Sequence, residues 1–586
     1  MSIAGGETAL SVFLEFFAKL ASYDQILNFV TQKQVNQQLK QWQKILPSIQ
    51  AVLNDAEEKQ MKDPNVKIWL TQLQNLGYDV GDVLNEFAVE ALQRKLHEDE
   101  ASTSKAKKPT ASWFTSFINS RAFLFNKRMI SKLQDITDEL NGLAREKNRL
   151  GLRQIDETAM SKRVKVSLQF MSLVDDSHVY GREKEKAEIL DLLLCNNGNW
   201  NGASLIHIFG DDFDVTLVMK TILQTISDVC CIVPSLDDLQ ALLKDKLFGR
   251  RFLLVLDNVW DENYDDLVLL LKPFSVGTKV ILTTRSCSVV SSVVRGARAY
   301  LLQKLSHKDC LSVFTHHALK ASDFSAHQEL ETFGENIVKK CNGLPLAAKV
   351  IGCLLGTHVE YGVWKYVSES EIWDLQQEQC RVIPALLLSY HHLPLYLKRC
   401  FAYCSLLHKG YEFEKEEIIL LWKAEGFLQE VDSKSHIEDL GSRYFQDLVS
   451  RSFFHTSVRD KYRYVMHDLI NDLAQLVSGE ICLKLEDDKQ PKIPKGTRHS
   501  SYVRGSYDGV EKFAVFDHMK HLRAFLPFMM PKNGTCYITN TVLIDLLPKL
   551  RCLRVLSLKG YGITVLPDIF ENLVQLRYLN FSHTLI

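Results

Sequence analysis

Apolar residues recur at every third or fourth position along the first 150 residues of the chain, which is the spacing of amphipathic helices. A Ser-, Lys- and Thr-rich stretch from Glu98 to Thr110 has the composition of a solvated linker between the third and fourth helices. Four amphipathic helices joined in this way predict a four-helix bundle. The apolar stripes cover residues 12–30, 39–53, 65–87 and 130–143.

The third predicted helix carries three acidic residues, Asp79, Asp82 and Glu86, at spacings of three and four. This spacing places them on one exposed side of the helix. They form either a solvated face, as charges on a helix usually do, or an acidic docking strip. The bundle shows no cluster of His or carboxylate side chains on an apolar face, so it is predicted to bind or signal rather than to catalyse.

Three short, mostly apolar runs mark the middle of the chain, at Ser204–Phe209, Phe252–Leu256 and Lys279–Thr284. Runs of this length are too short for a confident helix and are typical of parallel strands that are buried on both faces. They predict an α/β sheet, and in such a sheet ligands bind at the carboxyl ends of the strands.

Residues with suitable chemistry stand at these three strand ends. Asp257 is an acidic residue of the kind that holds Mg²⁺ directly or through water, although Asp-Asn is also a common turn. Gly210 is the residue type with which a phosphate-binding loop starts, because the backbone must curl so that its N–H groups face the phosphates. Arg285 would face the same crevice, where it could sense a terminal phosphate.

The Walker A loop that should follow Gly210 is absent from the sequence. Its pattern, G-x-x-x-x-G-K-[ST], lets the backbone approach the phosphates and brings a lysine to them. Gly210 is followed instead by the aspartate-rich segment DDFDV, and the Lys220-Thr221 pair comes later without a preceding glycine. Lys220 is predicted to lie inside a helix, on its solvent side. Because carboxylates repel phosphate, this segment is a poor substitute for the loop.

The chain beyond residue 300 predicts a largely helical region. Leu301–Leu305 is expected to form a further strand, followed by a helix over Asp309–Leu319. Another helix starts at the Gly343-Leu344-Pro345 turn, since proline is favoured at the first helical position. A compact helical set leading into Ile418–Phe427 resembles a winged helix, and Val465–Ala474 continues this part of the chain.

The last 70 residues contain a repeat. Leu553-x-x-Leu556-x-Leu558 and Leu576-x-x-Leu579-x-Phe581 share a leucine-rich pattern with a period of 23 residues, inside the usual range of about 20 to 29. Leu522-x-x-Phe525 is an irregular earlier copy. Because such a stack needs at least three units and a cap, the chain is expected to hold only the truncated start of a leucine-rich-repeat solenoid.

Composition and charge are those of an ordinary soluble protein of several domains. The 586 residues are 46% hydrophobic and 24% charged, with a formal net charge of −1, so the chain lacks the basic character of a specific nucleic-acid-binding protein. The 13 cysteines are scattered, which favours free thiols in a reducing compartment. Neither a secretory signal nor a membrane-spanning run of about 18 apolar residues is visible. A cytoplasmic protein is expected.

Taken together, seven ordered motifs resemble those of plant intracellular immune receptors. They match the coiled-coil, nucleotide-binding, leucine-rich-repeat class of disease resistance proteins, in its RPP13-like group. The resemblance covers essentially the whole chain. The motifs are VYGRE (179–183), LLVLDNVW (253–260), KVILTTR (279–285), CNGLPLA (341–347), CFAYCSLL (400–407), MHDL (466–469) and the leucine repeats.

The resemblance implies a multidomain α plus α/β protein. It also makes the acidic strip similar to the family's acidic helix-three motif, which docks on the repeats; Gly81 stands where the family usually has glutamate. The implied domains are an Rx-type bundle (1–165), an NB-ARC nucleotide-binding subdomain lacking its P-loop (175–305), a helical ARC1 subdomain (306–385), a winged-helix ARC2 subdomain (386–485) and the first leucine-rich repeats (500–586).

The family's mechanism is an ADP/ATP switch that is closed at rest and oligomeric after pathogen perception. The implied partners are a pathogen effector or guarded host protein, other immune receptors or further copies of the chain, and the plasma membrane once the bundle signals cell death. Carried over by motif, the implied nucleotide site comprises Val179 and Arg182 beside the adenine, Gly210 before the phosphate loop, Asp257 on Mg²⁺, Arg285 at the γ-phosphate, Pro345 on the base and His467 at the ADP β-phosphate.

The sequence departs from the family pattern at the joint between Gly210 and Asp211, where the phosphate loop, its helix and a second strand are missing. Asn258 also replaces a second acidic residue, which argues against hydrolysis. The leading hypothesis is therefore an immune receptor by descent whose nucleotide switch is impaired, at most a weak ATPase without catalytic turnover. The alternatives are a nucleotide-independent interaction protein that regulates full-length receptors, and an error in the gene model.

Overall fold

The computed structural model describes most of the chain in separate stretches. Residues 1–31, the predicted linker around 104–111, and the positions of Gly210 and Arg285 lie outside the described residues. The described ranges are 32–60, 63–103, 112–153, 179–194, 204–209, 215–226, 236–248, 252–257, 269–274, 279–283, 300–356, 359–374, 383–428, 437–457, 460–485, 494, 496–529, 536–565 and 567–585.

Three long helices pack together at the amino-terminal end of the described chain and are called the bundle below. Trp42 and Trp69 are fully buried in its core. Their indole N–H groups donate to the Thr137 hydroxyl at 2.8 Å and to the Leu143 carbonyl at 2.9 Å. The third predicted helix runs through Thr103, so the first part of the expected linker is helical instead. The helices are α1 (Gln32–Lys59), α2 (Pro64–Thr103) and α3 (Ser112–Arg149).

A three-stranded parallel sheet follows, with the strand order β1-β2-β3. Phe209 is the register partner of Asp257, so the strands end at the same edge of the sheet, as predicted. Met219 and Leu243 from neighbouring helices pack against buried Leu254 of the central strand. The elements are α4 (Glu183–Leu194), β1 (Ser204–Phe209), α5 (Val215–Ile226), α6 (Leu236–Leu247), β2 (Phe252–Asp257) and β3 (Lys279–Leu282).

A compact helical module comes next, and its core centres on Phe314 and Trp364. The expected strand at Leu301–Leu305 is wrong, since this segment has no regular structure and the side chains of Leu301 and Leu302 are exposed. Its apolar residues suggested a strand, but it pairs with no described strand. The helices are α7 (His307–Leu319), α8 (Gln328–Lys340), α9 (Pro345–Gly356) and α10 (Tyr361–Glu369).

Residues 384–485 form a module of helices around a small antiparallel sheet of order β4-β6-β5. We call it the winged-helix module. The elements are α11 (Pro384–His391), α12 (Leu395–Tyr403), β4 (Phe413–Glu414), α13 (Lys415–Glu425), α14 (Ile437–Ser450), β5 (His455–Thr456), β6 (Arg463–Val465), α15 (Asp468–Ser478) and β7 (Cys482–Leu485).

The last module, residues 496–585, is a stack of parallel strands that we call the repeat module. Its main sheet has the order β13-β12-β10-β8-β7, and the two leucine copies recognised in the sequence supply β12 and β13. Buried Leu553, Leu556 and Leu558 fill its interior. The elements are β8 (His499–Arg504), β9 (Tyr507–Asp508), α16 (Val510–Phe513), β10 (Ala524–Met529), β11 (Tyr537–Ile538), β12 (Val555–Ser557) and β13 (Tyr578–Asn580).

The winged-helix and repeat modules share one hydrophobic core. Leu526 and Phe528 of β10 belong to the same buried cluster as Phe401 and Trp422 of the winged-helix module. The strand β7 of the winged-helix module also pairs with β8 of the repeat module. The two modules are therefore continuous in both packing and hydrogen bonding. Within the described helices, none combines the length and apolar character needed to cross a membrane.

The packing between these two modules is expected to weaken in acid through His408, whose ring lies 5.4 Å from that of Phe528. Burial, with a contribution from Lys484, lowers the pKa of His408 to about 4. A lowered histidine pKa means that the folded state favours the neutral ring. The folded state therefore has its full free energy of unfolding above pH 6.5 and loses part of it as the pH falls toward 4. The loss is roughly 2 kcal/mol at pH 5.

The measurement is the thermal unfolding midpoint at pH 7.5 and pH 5, compared between the wild-type chain and His408→Gln. The wild-type midpoint should fall further on acidification than that of the variant, whose side chain does not titrate. Equal falls would show that other groups carry the acid sensitivity.

Candidate functional site

The sheet edge predicted to bind phosphate is only partly described. Asp257 is the last residue of β2, the central strand, as predicted. Gly210 and Arg285 lie outside the described residues, and so does the side chain of Asp257. Lys220 lies within α5 and is half-buried. Magnesium or phosphate binding at this edge therefore stays a prediction from the sequence.

Arg182 is held by one group on the segment that precedes the helical module and by one group of α4. Its Nη1 donates to the Gln303 carbonyl at 2.8 Å and to the Glu185 carboxylate at 2.7 Å. The preceding glycine, Gly181, has a φ of +64°, and a Cβ there would lie 2.3 Å from the Asp309 side chain. Only glycine fits this turn without strain. Val179 is mostly exposed, so it is available to a ligand.

The Gly343-Leu344-Pro345 turn packs on the same segment. Gly343 has a φ of +71°, and a Cβ there would meet the Leu305 carbonyl at 2.7 Å. The Leu305 N–H donates to the Gly343 carbonyl at 3.0 Å. Pro345 is the first residue of α9 and is exposed, and its packing on a base stays a prediction. The structure thus attaches the Gly-Arg turn and the Gly-Leu-Pro turn to one segment, Gln303–Asp309.

His467 is the N-cap of α15. Its Nδ1 accepts a hydrogen bond from the Leu469 N–H at 3.1 Å, and the residue is exposed. Capping satisfies one of the free N–H groups at a helix start. This is the default structural role of such a histidine, and it leaves the ADP contact implied by the resemblance as a prediction.

Four arginines form a ladder along one edge of the repeat sheet. Each stands directly before a strand, and each arginine N–H after the first donates to the carbonyl of the preceding arginine, at 2.6 to 2.8 Å. The ladder is called the arginine ladder below. It consists of Arg498, Arg523, Arg554 and Arg577.

Asp82 of the bundle inserts into this ladder. Its carboxylate pairs with the guanidinium of Arg523 and lies 3.8 Å from that of Arg554 and 4.0 Å from that of Arg498. Arg523 also donates to the Tyr78 carbonyl at 2.7 Å and lies over the Tyr78 ring, 4.7 Å from its centre. Asp82 is only 6% exposed. The sequence-based prediction that this residue is solvent-exposed is therefore wrong, and the docking interpretation is confirmed for it.

Two neighbours of Asp82 extend the contact. The Asp79 carboxylate lies 2.9 Å from Arg498, and the Asn85 side-chain oxygen accepts from Arg577 at 2.8 Å. Glu86 behaves differently, because it pairs with Arg128 at 3.1 Å and with Lys132, both within the bundle. The docking strip thus consists of Asp79, Asp82 and Asn85, and Glu86 braces α2 against α3.

The charges in this contact shift one another's proton affinity. Burial alone would raise the pKa of Asp82, but Arg523 and the other nearby cations hold it well below its usual range. Burial and the repulsion of Arg523 lower the pKa of Arg554 to about 9. The strip places one buried carboxylate among three buried arginines, so the loss of any single partner leaves uncompensated charge.

A second contact joins the bundle to the winged-helix module. Glu57 near the end of α1 lies 3.4 Å from Lys398 of α12, and both side chains are about nine-tenths buried. Arg554 of the ladder donates to the Glu425 carbonyl of α13 at 3.0 Å. The bundle, the winged-helix module and the repeat module therefore meet in one polar junction.

The arginines were missed in the sequence analysis, although a signal was present. An arginine follows the first leucine of each repeat copy, at Leu522-Arg523, Leu553-Arg554 and Leu576-Arg577. A basic residue at a fixed repeat position predicts a row of positive charge along one edge of the stack. The acidic strip on α2 is its complement.

Comparison with known proteins agrees with this domain order. Residues 9–124 match the family model of the Rx N-terminal domain, residues 199–323 that of the NB-ARC domain, and residues 406–474 that of the disease resistance protein winged helix domain. The three matched segments correspond in turn to the bundle, to the parallel sheet with the start of the helical module, and to the winged-helix module.

Curated relatives align with most of this chain. The chain is 35% identical to disease resistance RPP13-like protein 1 of Arabidopsis thaliana, over 99% of this chain and 58% of that protein. It is 33% identical to disease resistance protein RGA2 of Solanum bulbocastanum, over 73% of this chain and 46% of that protein. The chain thus spans about half the length of the curated relatives that it matches.

The first of these alignments runs over 620 positions, whereas this chain has 586 residues. The relative therefore carries residues inside the aligned region that have no counterpart here. Three domain families in the same order, together with these relatives, identify the chain. It belongs to the coiled-coil, nucleotide-binding, leucine-rich-repeat family of plant disease resistance proteins.

Proposed function

We propose that the chain is a plant intracellular immune receptor in which the bundle is held on the repeat module and the nucleotide switch is impaired. The observation that carries the proposal is the pairing of buried Asp82 with the arginine ladder. This contact ties the unit expected to signal to the unit expected to recognise a partner. Recognition of a pathogen effector or a guarded host protein would then be communicated through the junction of the three modules.

The four-helix bundle and the leucine-rich-repeat solenoid are part of this proposal. Three packed helices and a stack of parallel strands with leucine-filled interior support them. The active form is expected to assemble with other receptors or with further copies of itself, and to contact the plasma membrane from the cytoplasm. No specific nucleic acid is expected as a partner.

Impairment of the switch rests on the sequence at Gly210. Without a Walker A loop, bound ADP would lose several charge-assisted hydrogen bonds worth about 1.5 to 3 kcal/mol each. Val179, Arg182, Pro345 and His467 remain as candidates for the base and phosphate contacts. Arg182 already donates to Gln303 and Glu185, so its guanidinium is not free to replace the missing lysine.

Isothermal titration of the purified 586-residue chain with ADP and Mg²⁺ tests this proposal. We expect no binding tighter than about 1 mM, or about −4 kcal/mol. The matched control is the same chain with the relative's missing block inserted between Gly210 and Asp211, which should bind ADP at least a hundredfold more tightly. Micromolar binding by the unaltered chain would show that another segment rebuilds the phosphate site.

A second candidate function is a nucleotide-independent regulator that pairs its bundle with full-length receptors. The docking strip of Asp79, Asp82 and Asn85 would serve this pairing, since the contact that the strip makes within the chain requires no nucleotide. Co-precipitation of the chain with an intact relative should then survive removal of ADP and ATP, and should be reduced when Asp82 is changed to alanine. Loss of co-precipitation on nucleotide removal would exclude this function.

A further inference from the structure

The arginine ladder offers more hydrogen-bond donors than the docking strip uses. Within the described residues, three buried ladder arginines keep side-chain N–H groups without a hydrogen-bond acceptor: Nε and Nη1 of Arg498, Nε of Arg523 and Nε of Arg554. These side chains are only 4 to 6% exposed. Buried donors without acceptors are costly, so this surface points to an anion with more acceptor oxygens than the strip supplies.

The same three guanidinium groups converge on the Asp82 carboxylate. Arg523 donates to its Oδ1 atom. Arg554 lies 3.8 Å from Oδ1 and Arg498 lies 4.0 Å from Oδ2, and both separations exceed a hydrogen bond. The exposed His521 ring lies 3.7 Å from Oδ2 on the solvent side. The carboxylate therefore accepts a hydrogen bond from only one of the three arginines around it.

A terminal phosphate group matches this position better than a carboxylate does. It carries a charge of about −1.5 to −2 at pH 7 and three acceptor oxygens. Arginine also binds phosphate through two parallel N–H groups, which strengthens the contact. The ladder arginines precede neighbouring strands, which lie about 4.8 Å apart. An anion with several linked phosphate groups can therefore contact more than one arginine at a time.

The balance of charge also favours an anion. The ladder carries four positive charges, and the carboxylates nearest to it are Asp79 and Asp82 of the strip and Glu425 of α13. Counting these groups alone, one positive charge is left over while the strip is docked, and three are left over once the strip leaves. The released ladder is therefore a much stronger anion site than the docked one.

We propose that the arginine ladder is a binding site for a small polyphosphate anion, which takes the place of Asp82 and so competes with the bundle for the repeat module. The inference rests on the docking contact of the proposed function and adds a ligand that opens it. Because the anion and the strip need the same three arginines, binding of one excludes the other. The anion should therefore shift the chain toward the form in which the bundle is released.

Inorganic tripolyphosphate is a suitable probe, because it has linked phosphate groups and no base for the nucleotide site to hold. Isothermal titration uses the full chain at constant ionic strength, without nucleotide or divalent metal ions. Asp82→Ala should bind the probe at least tenfold more tightly than the wild type, because its bundle no longer competes. In the Asp82→Ala background, Arg498→Gln and Arg554→Gln should each weaken binding at least tenfold. Lys549→Gln, at an exposed ion pair of the same module, should leave it unchanged.

Hydrogen exchange of residues 74–87 tests the competition itself. Excess tripolyphosphate should speed exchange there in the wild-type chain, whereas sodium chloride at the same ionic strength should not. Circular dichroism checks that every variant is folded.

Three results would overturn the proposal: binding to Asp82→Ala no tighter than to the wild type, full affinity in both arginine variants, or equal release by sodium chloride. If residues 74–87 exchange slowly before the probe is added, such a failure leaves the docking contact of the proposed function intact. Fast exchange in the untreated wild-type chain would instead contradict that contact, and the proposal with it.

Discussion

Replacing Arg523 with alanine is expected to release the bundle from the repeat module. Arg523 is 4% exposed, and it supports both the Asp82 carboxylate and the Tyr78 carbonyl. Removing one partner of a buried ion pair typically costs about 3 to 5 kcal/mol, because the remaining charge is left buried and uncompensated. The contact should therefore open even though Asp79 and Asn85 keep their own partners.

Hydrogen exchange of residues 74–87 measures this release. Exchange there should rise strongly in Arg523→Ala, while the strands β8 and β10 keep their protection. The matched control is Lys549→Ala, which removes an exposed ion pair with Asp517 in the same module and should cost less than about 1 kcal/mol. If exchange in residues 74–87 stays at the wild-type level, the arginine ladder does not hold the bundle.

The second large effect is expected from Trp69→Ala in the bundle core. Trp69 is 1% exposed, and its indole N–H donates to the Leu143 carbonyl of α3. Truncating a buried tryptophan costs about 3 to 5 kcal/mol, and the Leu143 carbonyl also loses its indole donor. The variant should lose the protection of α1, α2 and α3 together, since all three helices line this core.

The neighbouring residue provides the control. Ile68 is 55% exposed on the same helix, so Ile68→Ala should change the free energy of unfolding by less than about 0.5 kcal/mol. Chemical denaturation followed by tryptophan fluorescence and by far-ultraviolet circular dichroism compares the two variants. Similar losses from both would mean that the bundle is not packed as described.

The helices and buried strands could be predicted because their signals are local. Apolar spacing identified α2 around Trp69 and Leu73, and the short run at Phe252–Leu256 identified β2 with Asp257 at its end. The proline at position 345 fixed the start of α9 for the same reason. Each of these features depends on residues within a few positions of one another.

The docking surface could not be predicted from helix pattern alone. Asp82 and Arg523 are 441 positions apart, and the pattern of α2 makes Asp82 look like part of a solvated face. The charge pattern gave docking only as an alternative, and the family resemblance indicated the repeats as the partner. The prediction of a strand at Leu301–Leu305 was wrong for a related reason. Apolar content does not reveal whether a neighbouring strand is available to pair with the segment.

The contact between α2 and the arginine ladder depends on a match between the residue spacing of the helix and the strand spacing of the sheet. An α-helix advances about 4.5 Å in three residues, close to the spacing of about 4.8 Å between neighbouring strands. Asp79 and Asp82 therefore face Arg498 and Arg523 on successive strands. Sliding the helix by one residue would turn every acid by about 100° off the ladder. A bundle from another receptor could bind to these repeats in place of this one only if its acidic residues have the same three-residue spacing.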